Sequence, residues 1–184
     1  MKRCSFPHCL INVVLLISLN ACGGKTSSDH PGSGVTLSPT PTQALIKLET
    51  TGTIPTLDRS DTLAGPDTNN NGVRDDIDAY IQNTFQDPLE RAAVTQSARS
   101  MQSAIVVDAS DPDATQAVSR SMTRSVHCMF SRFSGNQGER SPMAIDDKIE
   151  AMTANTKARM KAYLAYNQSR NGTTSSIPTG DTCD

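Results

Sequence analysis

The sequence predicts an all-α protein: a small bundle of about four helices, preceded by a calcium-type loop and a flexible N-terminal stalk. Three observations carry this reading. Apolar residues recur at helical spacing from Asp75 onward. Asp87-Pro88, Asp111-Pro112 and Ser141-Pro142 each join a good N-cap residue to a proline suited to the first turn. Upstream of the loop, residues 23 to about 43 are dominated by Gly, Ser, Thr and Pro, with no period.

Ile77, Tyr80, Ile81, Thr84 and Phe85 fall on one face of a short first helix. A second, opened by Asp87-Pro88, carries a thin, alanine-rich stripe of Leu89, Ala92, Ala93, Met101, Ala104 and Ile105. A third, opened by Asp111-Pro112, turns Val118, Met122, Val126, Met129 and Phe133 inward, and Gly135 to Gly138 break it. The fourth starts at Ser141-Pro142 and places Ile145, Ile149, Met152, Met160, Tyr163 and Leu164 on one face. Met122, Met129, Met152 and Met160 read as core filling in a chain poor in aromatics, in preference to an adaptable binding groove. Residues 44–57 alternate weakly around a Gly and a Pro, which predicts an extended arm, packed or loose. The tail from Asn171 is polar and turn-like as far as Cys183.

The N-terminus reads as an address. Lys2 and Arg3 precede an apolar run from Leu10 to Leu19, which is too short and too interrupted to span a bilayer. The run ends in Leu19-Asn20-Ala21-Cys22. That ending resembles the lipobox of bacterial lipoprotein precursors, although Asn20 departs from the small residue usual there. The resemblance implies removal of residues 1–21, lipidation of Cys22, and a stalk over 22–60 ahead of a calcium-loop and helical domain over 61–184. The chain is then held at the membrane by its lipid. Gly23 is not the Asp that typically retains such proteins at the inner membrane, which favours the outer membrane where there are two.

Cleavage removes Lys2 and Arg3 and no acid, so the formal charge falls from −2 to −4. A mildly acidic chain without a Lys/Arg run offers no footprint for nucleic acid. With 4% aromatic residues and no Trp, it also lacks a stacking platform for bases or sugars. Cys4 and Cys9 leave with the leader and Cys22 is consumed by lipid, so Cys128 and Cys183 remain as a pair for a disulfide. The rival reading makes Cys128 a nucleophile beside His127. Adjacent helical residues point about 100° apart, which places that histidine badly for the task.

The strongest chemical motif is Asp67-Thr-Asn69-Asn-Asn71-Gly72-Val73-Arg-Asp75-Asp76-Ile-Asp78. Oxygen ligands at positions 1, 3 and 5 (Asp67, Asn69, Asn71) converge only if the chain turns sharply at position 6, where Gly72 stands. The Val73 carbonyl, Asp75 directly or through water, and Asp78 complete a shell of hard oxygens suited to Ca²⁺. Asp replaces the bidentate Glu at position 12, Arg74 replaces an apolar residue at position 8, and no helix is predicted before the loop. The loop therefore resembles the single calcium loops of dockerin modules and thrombospondin type 3 repeats. Those families carry tandem copies, and this chain has one. The ligand set predicts a Kd of about 10⁻⁴ to 10⁻³ M or tighter. The alternative reading is a turn followed by a helix start, which leaves the every-second-residue oxygens unexplained.

Leu57 to Asp67, Asn69 to Ile81 and the end from Tyr163 to Cys183 together resemble a group of uncharacterised bacterial proteins. These have a lipoprotein-type start, one calcium-type loop, a helical body and a cysteine near the end. The resemblance supports the calcium and disulfide readings and implies no activity. Expected above all is a lipid-anchored, non-enzymatic envelope protein that binds another, unidentified envelope component. A calcium-dependent docking module is the second reading. A calcium-assisted hydrolase is the third, weakened because Asp146, Asp147 and Glu150 look like a solvated face and only His30 and His127 survive processing.

Overall fold

The computed structural model describes residues 40–184. The expected leader at 1–21, the expected lipidation at Cys22 and the expected stalk as far as residue 39 lie outside them. Six α-helices follow in order: α1 (Pro41–Thr50), α2 (Asp75–Thr84), α3 (Pro88–Val106), α4 (Pro112–Arg132), α5 (Pro142–Thr153) and α6 (Lys157–Ser169). A single 3₁₀ turn at Gly138–Arg140 separates α4 from α5, and no strand occurs among the described residues. The protein is all-helical.

The three expected N-termini form as their side chains dictate. Asp87 accepts from the Leu89 and Glu90 amides, and Asp111 from those of Asp113 and Ala114. Ser141 accepts from the Ala144 amide. Each side chain satisfies amide donors that the first turn cannot pair internally.

Two elements differ from the expectation. The arm over 44–57 is helical up to Thr50, because Thr40 and Gln43 form a reciprocal capping box and Pro41 takes the first turn. This α1 buries no residue and leaves Ile46 and Leu48 exposed. Glu49 ties its end to the chain beyond, accepting from Arg59 at 2.6 Å and from the Leu57 amide at 3.3 Å. The expected fourth helix is two. Its ladder stops at Thr153, and Thr156 adopts an extended conformation and caps α6 by accepting from the Arg159 amide. The apolar stripe crosses that corner without losing its period, so the break is hidden from a pattern reading.

The core is built from Val73, Ile77, Ile81 and Phe85 around α2, Ala93, Val94, Ala98 and Met101 of α3, Met129 and Phe133 at the end of α4, and Ile145, Ile149 and Met152 of α5. Phe85 stands edge-on between Tyr80 and Phe133. Helix α3 touches α2, α4, α5 and α6 and is the axis of the bundle. Several residues expected inward are instead exposed: Leu89, Ala92, Val126, Met160 and Leu164. Met160 therefore fills no core. After the corner, α6 buries only Arg159 and Tyr166.

Two arginines are buried outright. Arg159, 0% exposed, directs its guanidinium into the loop before α2. It bonds the carbonyls of Asp58, Thr62 and Leu63, the Asn155 side chain, and the Asp58 carboxylate at 2.5 Å. Arg74, 1% exposed, pairs with Asp76 and reaches the Met152 carbonyl at 2.9 Å and that of Thr153 at 3.4 Å, where α5 ends. It thereby satisfies carbonyls left unpaired at a helix C-terminus. An arginine at position 8 of the loop is thus a tether between α2 and α5.

The Arg159 guanidinium beside Asp58 holds its carboxyl below the ordinary aspartate value. A lowered folded-state value contributes stability above about pH 4, lost as the pH falls through it. Asp58→Asn leaves a buried guanidinium without its counter-charge and is expected to cost about 3 kcal/mol at neutral pH. Urea denaturation measured from about pH 7 down to about pH 2 tests both points. The variant should lose the share of acid sensitivity that Asp58 contributes.

Candidate functional site

Asn and Asp side chains favour short-range bonds to amides one to five residues ahead, and the Asp67–Asp78 loop is made of them. Asp67 accepts from the Asn71 amide at 3.1 Å and the Gly72 amide at 2.9 Å. The Asn69 side-chain oxygen accepts from that same Asn71 amide at 3.1 Å, and the Asn71 oxygen from the Val73 amide at 2.8 Å. The side-chain oxygens of loop positions 1 and 3 therefore meet at one N–H. From the helical side, Asp78 accepts from the Asn69 side-chain amide at 3.1 Å, which joins positions 3 and 12.

Asp75, at position 9, is turned elsewhere. Its two oxygens accept from the Thr68 amide and hydroxyl at 2.8 and 2.6 Å. Those bonds hold its carboxyl below the ordinary range, the hydroxyl contributing most. The loop backbone needs positive φ at Asn70 (55°) and at Gly72 (81°). A Cβ on Gly72 would stand 3.0 Å from the Arg99 side chain. Arg99 lies against the loop because its Nε donates to the Asn71 carbonyl at 2.8 Å, while its guanidinium also pairs with Asp184.

In kind, these donors fit a hard divalent cation: carboxylate, amide and main-chain oxygens alone. In place, Asp67, Asn69 and Asp78 are brought together, while the Asn71 side chain is engaged by the Val73 amide; each side-chain oxygen retains acceptor capacity beyond the bonds named. Asp75 shares no bond with the other loop side chains, its oxygens being engaged by Thr68. Among the described residues, no group of three or more His, Cys, Asp or Glu side chains is placed to hold a metal ion. The set depends on its asparagines and on the Val73 carbonyl.

Upstream, the loop leans on Gly65, whose φ is +69°. A Cβ there would overlap the Arg74 side chain, reaching Cγ at 2.8 Å. Gln102 of α3 donates to the Ala64 carbonyl at 3.0 Å, fixing the same turn. Sequence reasoning had singled out neither Arg74 and Arg159 as anchors nor Thr68 and Arg99 as loop partners. Only the Gly65-Pro66 pair signalled a constrained turn.

At the other end of the chain, Cys128 and Cys183 are bridged, closing a separation of 55 residues. Thr182 is buried beside them. Its carbonyl accepts from Gln96 at 2.9 Å and its hydroxyl donates to the Arg124 carbonyl at 3.0 Å. His127 Nδ1 lies 3.0 Å from that hydroxyl. The histidine beside Cys128 serves to seat the tail.

The acidic face of α5 is solvated only at Asp147. Asp146 is partly buried, accepts from the Ser97 hydroxyl on α3, and is pushed above the ordinary aspartate value chiefly by burial. Glu150 accepts from the Tyr163 hydroxyl at 2.9 Å. Burial and that bond push the tyrosine to about 12.

Comparison with known proteins found no matching family model, no matching curated protein and no matching solved structure.

Gly65→Ala combines a left-handed backbone with overlap against a buried arginine, and an expected loss of about 3 kcal/mol follows. Chemical denaturation measures it; a loss below about 1 kcal/mol would mean that Arg74 repacks. Converting Cys128 and Cys183 together to serine is expected to cost about 4 kcal/mol in the chain-entropy model. Its effect should appear as a lowered denaturation midpoint.

Proposed function

We propose that this chain is a lipid-anchored protein of the bacterial envelope, whose helical domain is stabilised by calcium and serves a binding or structural role without catalysis. The observation that carries the calcium reading is the meeting of the Asp67 and Asn69 oxygens at the Asn71 amide, with Asp78 drawn in through Asn69. A divalent cation at that point would take its negative charge from Asp67 and Asp78, the latter already linked to the loop through Asn69. The same helix carries Ile77 and Ile81 into the core, so ordering its first turn stabilises the packing behind it. The role is structural, because Arg74 bonds the turn to the end of α5 and holds it in place. The lipid anchor rests on Cys22 and the leader before it. Its outer-membrane placement rests on Gly23.

The domain released from the membrane should melt several degrees higher in millimolar calcium than in excess chelator, with little response to magnesium. Asp67→Ala should melt like the chelated protein and gain nothing from calcium. Identical melts with and without the metal would reduce the loop to a turn and a helix start. For the anchor, Cys22→Ser should abolish incorporation of labelled fatty acid and release the protein from the membrane fraction.

A further inference from the structure

The ion pairs of this protein leave three arginines together and uncompensated. Arg59, Arg74, Arg99, Arg132, Arg140 and Arg159 each pair with a carboxylate. Arg91, Arg120, Arg124 and Arg170 enter none of the ion pairs among the described residues; Arg91 bonds Gln82 and the Gln86 carbonyl, and the other three line one cavity of about 410 Å³. Arg120 and Arg124 are one turn apart on α4, where like charges repel. Arg170 closes the cavity from the end of α6. Its Nη1 has only a 3.4 Å bond to Thr115, and its Nε is a buried donor without a partner. Buried donors are normally satisfied, so the guanidinium is incompletely paired within the protein, and its Nη atoms are the part available to an acceptor in the cavity.

The rest of the lining has matching chemistry. Ser119 and Thr123 of α4 and Ser175 of the tail present hydroxyls, and neither a carboxylate nor an aromatic ring lines the cavity. Guanidiniums offer paired N–H donors that match the oxygens of phosphate or sulfate; the Thr123 hydroxyl donates to the Ser119 carbonyl, and of the Ser119–Ser175 pair one hydroxyl proton is left to donate. Without aromatic rings, nothing is placed to stack on a base or a sugar. The tail forms one wall, held there by the Cys128–Cys183 bridge and by Ser175 against Ser119. The disulfide therefore also assembles this cavity.

We infer that the cavity between α4, the end of α6 and the C-terminal tail is a binding site for a phosphate-type oxyanion, held by Arg120, Arg124 and Arg170. This inference is independent of the calcium loop, which is built from other elements. The phosphate can be free in solution or the headgroup of an anionic lipid, and both present the same oxygens.

The test uses the full purified chain in calcium-free buffer at constant ionic strength, so that pyrophosphate cannot act by removing calcium and general screening is the same in every sample. Inorganic pyrophosphate in the millimolar range should raise the melting temperature by several degrees and saturate. Vesicles of phosphatidylglycerol should bind the protein more than vesicles of phosphatidylcholine if the lipid headgroup is the source, and equally if free phosphate is. Arg170→Gln should remove the pyrophosphate response. Because Arg170 is half-buried, the exposed pair Arg120→Gln with Arg124→Gln serves as a second variant; it gives up one long bond, from Arg124 to the Thr182 carbonyl at 3.4 Å, so its unliganded melt should change little. That double variant should weaken binding at least tenfold. No saturable response to pyrophosphate, together with equal vesicle binding, would overturn the site. So would a response that persists undiminished in the double variant.

Discussion

Two guanidiniums without solvent exposure, Arg159 and Arg74, hold this structure to its shape. A charge taken out of water is costly unless its hydrogen-bonding capacity is met in full. Arg159 meets that condition, its five N–H donors facing five oxygens, four of them from the irregular stretch between Asp58 and Leu63. The loop has no secondary structure to fix it, so the guanidinium does the work a sheet or helix ladder does elsewhere. Arg74 performs the reciprocal task, bonding the end of α5 from the start of α2. Gly65 sits between them because no side chain fits there. The loop, the α5–α6 corner and the first turn of α2 are therefore one construction.

The helices were legible where the signal is local. Asp87, Asp111 and Ser141, each followed by proline, announce their caps within three residues, and the caps form as read. The capping box of α1 is equally local, yet Thr40-Pro41 lies in a stretch whose composition argues for a linker. The composition outweighed the motif. The α5–α6 corner was hidden for another reason: Met152 and Tyr163 keep a helical phase across a break whose signs are only Asn155 and Thr156.

The arginines and Asp146 were not legible, and physics explains why. A charged residue in a polar-looking segment is assigned to solvent unless its partners are known, and these partners are distant. Arg159 finds Asp58 from 101 residues away, Arg74 finds Met152 from 78, and Asp146 finds Ser97 from 49. The bonds that bring Asp67, Asn69 and Asp78 side by side span nine residues or fewer, so a register reading reaches them. Asp75 was assigned to the same cluster by its register. The hydroxyl of Thr68, which register does not weigh, drew it away.

The attachment of α1 has a mechanical consequence. This helix buries no side chain, and Glu49 is its link to Leu57 and Arg59. Tension applied from the N-terminal side would uncoil it against little resistance. The pull would then arrive at Asp58, where Arg159 grips backbone and carboxylate together and the load is shared among several bonds at once. Beyond that point lies the core. The helix behaves as a slack spring ahead of a latch, so jolts on the chain are absorbed before they reach the packed helices.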